Sequence, residues 1–254
     1  MKKILFLLSL IILMIGCSKD NDDSDESKVS VKFTFSHHWD GQAFTKDHFD
    51  LFDYINEYGS TLSMNHLRYL ISDIKFIRED GSLLNYEGFP YVLVNIENNL
   101  ALENPDAGVI PKGNYKGIIF TFGFKEELNI SGAYPDLNSA SWNWPEMIGG
   151  GYHYMQLEGK YINDIGAEMP FAYHMGPTVD ENDVRDNNHF VVTINQNFSV
   201  DNTLNVHIQM NLAEWFKNPY TWDLNVYDVN LMMNYEAQKL MQDNGKDVFN
   251  ASFN

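Results

Sequence analysis

The chain predicts a mainly β protein, an antiparallel β-sandwich with long loops and one or two short helices. About eight segments show period-two alternation or short β-branched and aromatic runs, the pattern of half-buried and buried strands. Turn signals built from Gly, Pro, Asn and Asp lie between them. No repeat of fixed period and no second-domain boundary interrupts the series.

Val29 to Phe35 alternates apolar and polar residues and reads as the first strand. Leu67 to Ile77 follows and ends at Glu79-Asp80-Gly81, a hairpin-type turn. Tyr91 to Ile96 is a short apolar run bounded by Pro90 and Glu97-Asn98-Asn99. Tyr115 to Phe124 is rich in β-branched and aromatic residues and follows the turn Pro111-Lys112-Gly113-Asn114. Tyr152 to Tyr161, Phe190 to Gln196, Thr203 to Met210 and Trp222 to Tyr227 complete the strands. A short helix is expected over Leu212 to Lys217, stopped by Asn218-Pro219. A longer one is expected from Tyr227 to Asp243, with Asn244-Gly245 as its C-cap. Two irregular stretches remain. Gly132 to Gly151 holds two tryptophans, two prolines and a glycine triplet, and Gly176 to Asn188 is an acidic surface loop.

The N-terminus carries a different signal. Lys2 and Lys3 precede an apolar run from Ile4 to Ile15 that ends in Gly16-Cys17. The run is too short for a spanning helix of roughly 20 residues. Its end resembles a bacterial lipobox, which implies a signal peptide over 1–16 and lipidation of Cys17, an anchor rather than a span. Ser18 to Glu26 is polar and acidic with nothing to bury, so residues 17–28 read as a lipidated, disordered tether and 29–254 as the folded domain. An acidic run directly after the lipidated cysteine also resembles the surface-export signal of Bacteroidetes lipoproteins, which implies an outer-membrane, outward-facing protein.

Charge and cysteine usage exclude several functions. The chain has 254 residues and a formal net charge of −18, which makes it a poor partner for nucleic acid and for anionic lipid surfaces. Cys17 is the only cysteine, so neither an internal disulfide nor a thiolate metal cage is available. No GxxxxGK[ST] loop, dinucleotide fingerprint, GxSxG elbow or HExxH helix is present, and no catalytic role is expected.

What the chain does contain is histidine next to tryptophan and methionine. His37-His38-Trp39 follows the first strand, Trp142-Asn143-Trp144 leads through the glycine triplet to His153-Tyr154-Met155, and His174-Met175-Gly176 closes the next segment. Neutral imidazole suits copper and zinc, and thioether sulfur from Met155 or Met175 suits Cu(I). His48, His66, His189 and His207 read as ordinary hydrogen-bonded histidines.

The succession of motifs resembles a known family. Leu67 to Ile74 is followed by Asp80-Gly81, then Ile110-Pro111-Lys112-Gly113-Asn114-Tyr115 and Ile119 to Phe124. The Trp142-Asn143-Trp144 loop leads to Gly151-Tyr152 and Leu157-Glu158-Gly159, and His174-Met175-Gly176 comes last. In this order they resemble the MbnP-like copper-binding family. The resemblance implies a sandwich-like domain that holds copper, as Cu(I) or Cu(II), through histidines and a kynurenine made from tryptophan. It also implies a di-haem peroxidase-like (MbnH-like) maturation partner. Trp142 and Trp144 match the family's W-x-W stretch, and His174 matches its H-[LM]-G histidine. His153 reads as an extra ligand of this lineage, and His37 and His38 as N-terminal candidates. Ser141 stands where a bulky hydrophobe is expected and Pro145 follows Trp144, so which tryptophan is oxidised stays open. The expected function is copper capture or handling by a surface lipoprotein. The alternatives are a carbohydrate- or protein-binding module that uses the aromatic loop without metal, and a purely structural role for the two tryptophans as core plugs.

Overall fold

The computed structural model describes residues 27–97, 103–104 and 108–254. The leader, Cys17 and most of the tether lie outside them. Nine principal strands build two packed sheets: β1 (Lys28–Trp39), β2 (Thr61–Arg78), β3 (Tyr91–Asn95), β4 (Gly113–Phe122), β5 (Met155–Ile162), β6 (Glu168–Met175), β7 (Phe190–Val200), β8 (Leu204–Asn211) and β9 (Phe249–Phe253). One sheet runs β9-β8-β1, with Gln42–Phe44 on the edge of β1. The other runs β6-β5-β2-β4-β7, with β3 on the opposite edge of β2. The β-sandwich is as expected, with one departure. β1 pairs parallel to β8, Val31 opposite Leu204 and His37 opposite Met210. Parallel neighbours need a long crossover. Here the crossover contains the whole second sheet.

The second sheet forks. The lower half of β2 pairs with β5, Leu62 opposite Tyr161 and Tyr69 opposite Met155. Its upper half pairs on the same edge with β4, Ile71 opposite Phe122. Leu70 marks the changeover: its N–H donates to Tyr154 O and its carbonyl accepts from Gly123 N–H, both at 2.9 Å. The chain between β4 and β5 therefore starts and ends at one point of the sheet. The tryptophan loop grows from this fork.

Several elements differ from expectation. Trp222 to Tyr227 is not a strand. The Asp223 carboxylate accepts from Asn225 N–H at 2.8 Å and bends the backbone, while Trp222 packs on Tyr173 with ring centroids 4.6 Å apart. The long C-terminal helix is shorter than its pattern. It divides into a 3-10 turn at Leu231–Met233 and α2 (Tyr235–Asn244), because Asn234 turns out of the helix and caps Ala237 N–H. β6 was not expected; its alternation is confined to Phe171, Tyr173 and Met175, after an exposed start that contains Pro170, which an edge strand tolerates. β9 is a short terminal edge strand with little periodicity. A one-turn helix, Pro135–Ser139, interrupts the tryptophan loop, numbered α1 here.

Candidate metal centre

Strand alternation places the site. Leu67, Leu157 and Tyr173 stand in register across β2, β5 and β6 and are buried in the core. The next row, Arg68, Gln156 and His174, points to the other face. Beside it stand His66, Glu158 and Ala172. The tryptophan loop folds back over this polar row.

Two backbone pairings shape the loop. Trp144 N–H donates to Gly151 O and His153 N–H donates to Trp142 O, each at 2.9 Å, so Trp142–Trp144 and Tyr152–His153 lie side by side. The glycine triplet makes the turn between them, with φ of 113°, 64° and 87° at Gly149, Gly150 and Gly151, a region that favours glycine. Trp144 lies on Gly176, where an added Cβ would stand 2.6 Å from the indole. The glycine after His174-Met175 is thus a packing requirement.

Both indoles are buried, Trp142 at 0% and Trp144 at 2% exposure. Covering a tryptophan removes roughly 150–250 Å² from water, about 4–6 kcal/mol before ordering costs. Neither ring is available to stack on a ligand from solvent, so a surface-binding role of the loop could not use its tryptophans. The Trp144 N–H donates to Ile148 O at 3.2 Å. The Trp142 N–H is buried with no acceptor, and the Arg68 guanidinium lies 4.9 Å from its ring centroid.

His153 is the centre of the cluster. Its ring meets Trp144 edge-on at 4.8 Å, Trp142 at 5.4 Å and His174 edge-on at 5.4 Å between centroids. Its Nδ1–H donates to Trp142 O at 3.1 Å, which leaves the lone pair on Nε2. Burial, then the neighbouring His174, pushes its pKa down to about 3, so the ring is neutral at physiological pH. His174 donates from Nε2 to Glu158 Oε1 at 2.7 Å, which leaves its lone pair on Nδ1. The His174 hydrogen bond, more than any other influence, holds the Glu158 carboxyl below its usual range. This carboxylate–histidine arrangement orients metal-binding imidazoles. Gln238 of α2 fixes the backbone here: its amide donates to His174 O at 2.7 Å and its carbonyl accepts from Gly176 N–H at 3.2 Å.

The structure thus brings together four of the six sequence-predicted residues: His153, His174, Trp142 and Trp144. It separates the other two. His37 points into the core, its Nε2 3.1 Å from the Tyr69 hydroxyl, on the face of β2 opposite Arg68. His38 is on the far side of β1, where Nδ1 accepts from Gly41 N–H at 3.0 Å. Met155 and Met175 are fully buried in the hydrophobic core, off the polar row. His66, read from sequence as incidental, borders the site through Gln156 Oε1 at 3.3 Å and pairs with Glu97. Arg68, Gln156, Glu158 and Gln238 were not singled out. The signal for three of them was there: polar residues every second position in otherwise apolar strands. Among the described residues, no three or more His, Cys, Asp or Glu side chains gather closely enough to hold a metal ion. The histidines that the loop and β6 bring together here are two, His153 and His174.

Fold and site together define a β-sandwich with a tryptophan-capped histidine pair at the fork of one sheet. The chain belongs to the MbnP family, whose model matches residues 28–234. Among solved structures, MbnP from Methylosinus trichosporium is similar, with a TM-score of 0.54 over 89% of this chain and 99% of that one. At 14% identity this likeness shows the fold. No curated protein matches the chain.

Proposed function

We propose that this protein binds copper between His153 and His174 and serves copper capture or handling at the cell surface, tethered by lipid at Cys17. One observation carries the reading: two imidazoles in edge-to-face contact, each with its N–H committed and its lone pair unspent. Two nitrogen donors suit a cation that accepts few ligands, and copper stands highest for nitrogen among its neighbours in the Irving–Williams order.

The orphaned Trp142 N–H supports a third donor. An indole N–H only donates. Oxidative opening of the Trp142 ring to kynurenine would replace it with an aryl amine that carries a lone pair. Trp144, whose N–H already has an acceptor, has no such vacancy. We therefore assign the modification, with a di-haem peroxidase-like partner as the source of oxidant, to Trp142. The role is binding rather than catalysis, with no nucleic acid partner and with membrane contact through the lipid alone.

The test is metal analysis and intact mass on protein isolated from its own cells, with peptide mapping of Trp142 and Trp144. The expected result is bound copper and a tryptophan-to-kynurenine mass change on the Trp142 peptide. Protein that stays copper-free after Cu(I) and Cu(II) loading would remove the reading.

A further inference from the structure

A cleft of about 390 Å³ opens beside His174, and three methionines line it: Met147, Met232 and Met233. Methionine is normally a core residue. Met64, Met155, Met175, Met210 and Met241 are fully buried here, whereas Met147 is 79% and Met233 72% exposed. Met232 is half-buried, and the buried residue of each turn is not a methionine. Ile148 anchors the turn that carries Met147, and Leu231 anchors the one that carries Met232 and Met233. Exposing such side chains to water has a hydrophobic cost and no return in stability.

A second groove adjoins the first and shares Asn230 and Met233 with it. Its rim carries Asp180, Glu181 and Glu236. Acidic side chains raise the local concentration of cations. Thioethers select soft ones, Cu(I) above all. Acid rim and thioethers thus line adjoining grooves, and His174 lines the same groove as the thioethers.

We propose that Met147, Met232 and Met233 form a thioether site that accepts Cu(I) at the mouth of the cleft, ahead of the histidine pair. This rests on the copper reading for its purpose, but its chemistry can be tested separately. The acidic neighbours favour a cation over an apolar protein partner as the occupant.

The experiment uses Ag(I), a closed-shell stand-in for Cu(I) that undergoes no redox change, and the ¹³C-methyl methionine spectrum of the His174→Ala protein. The methyls of Met147, Met232 and Met233 should shift on titration, and those of the buried methionines should not. Replacing the three by leucine, which conserves volume, should weaken Ag(I) binding by about tenfold or more, the scale on which loss of metal-site partners is felt. Unmoved methyls, or unchanged affinity in the leucine variant, would overturn the proposal and leave the methionines as a patch for another occupant. Copper retention by the leucine variant, which lacks the three thioethers, reports on the histidine pair alone, so the two ideas fail separately.

Discussion

His37 and His153 face away from each other across the forked sheet, one in the sandwich core and one under the tryptophan loop. They are alike in two respects. Both are buried, and burial drives both pKa values down to about 3, helped by His38 in one case and His174 in the other. They differ in what remains of the ring. The Nε2 of His37 is taken by the Tyr69 hydroxyl, which burial keeps protonated. The Nε2 of His153 keeps its lone pair, because Nδ1 carries the proton to Trp142 O, and a second histidine stands beside it. Burial and a depressed pKa therefore do not mark a ligand. What sets His153 apart, and what the proposed copper site relies on, is an unspent lone pair beside a second imidazole.

Acid should affect both histidines alike. Each has a folded pKa below its unfolded value of about 6.5, so the unfolded chain binds protons that the folded chain refuses. Stability is fully present above pH 6.5 and falls as the pH drops from there toward 3, on the order of several kcal/mol in total. Urea titrations at a series of pH values measure this. His37→Gln should remove a large part of the loss. If it removed none, the two histidines would not share an environment.

Trp142→Ala should cost about 3–5 kcal/mol by urea or thermal unfolding, the usual range for a large aromatic deleted from a core. Trp142→Phe should restore most of the stability but cannot supply the proposed third nitrogen donor. A mild effect of the alanine change would mean the loop is not the lid of the site.

The two histidine regions part over metal. His174→Ala should lower copper affinity by more than about 100-fold in chelator competition, beyond the 10–100-fold typical of an outer partner. Glu158→Gln should fall within that outer range, since it loosens His174 without removing a donor. His37→Ala should leave affinity unchanged. Equal losses at His37 and His174 would end the distinction drawn between them.

Gly176→Ala is the smallest change to the chain. Its methyl would press on the Trp144 indole and cost about 1–3 kcal/mol, the usual penalty for overpacking. No change in the urea midpoint would mean that Trp144 can move aside freely.

Much of the sandwich was legible because most of its strands carry a period-two or continuous apolar pattern, as Val29 to Phe35 and Tyr115 to Phe124 do. β6 was not, since its alternation spans only Phe171 to Met175 and its first residues, Pro170 among them, are exposed. Trp222 to Tyr227 misled because its aromatic residues mimic a strand while Asp223 and Asn225 hold it in a turn. At the site, Trp142, Trp144 and His174 followed from a family resemblance and His153 from its place after the glycine triplet. The fork in the sheet could not be read. It depends on β5 and β4 sharing one edge of β2, a long-range pairing that local pattern does not encode. For the same reason His37, two residues from a tryptophan in sequence, could not be assigned to the core beforehand.

The most direct test of the central claim is the X-ray absorption spectrum of the copper-loaded protein at the copper edge. The histidine pair predicts a first shell dominated by nitrogen, with the outer-shell scattering of two imidazole rings, and the loss of one ring's signal in His174→Ala. A first shell of sulfur or oxygen without imidazole scattering, or a spectrum that His174→Ala leaves unchanged, would contradict it.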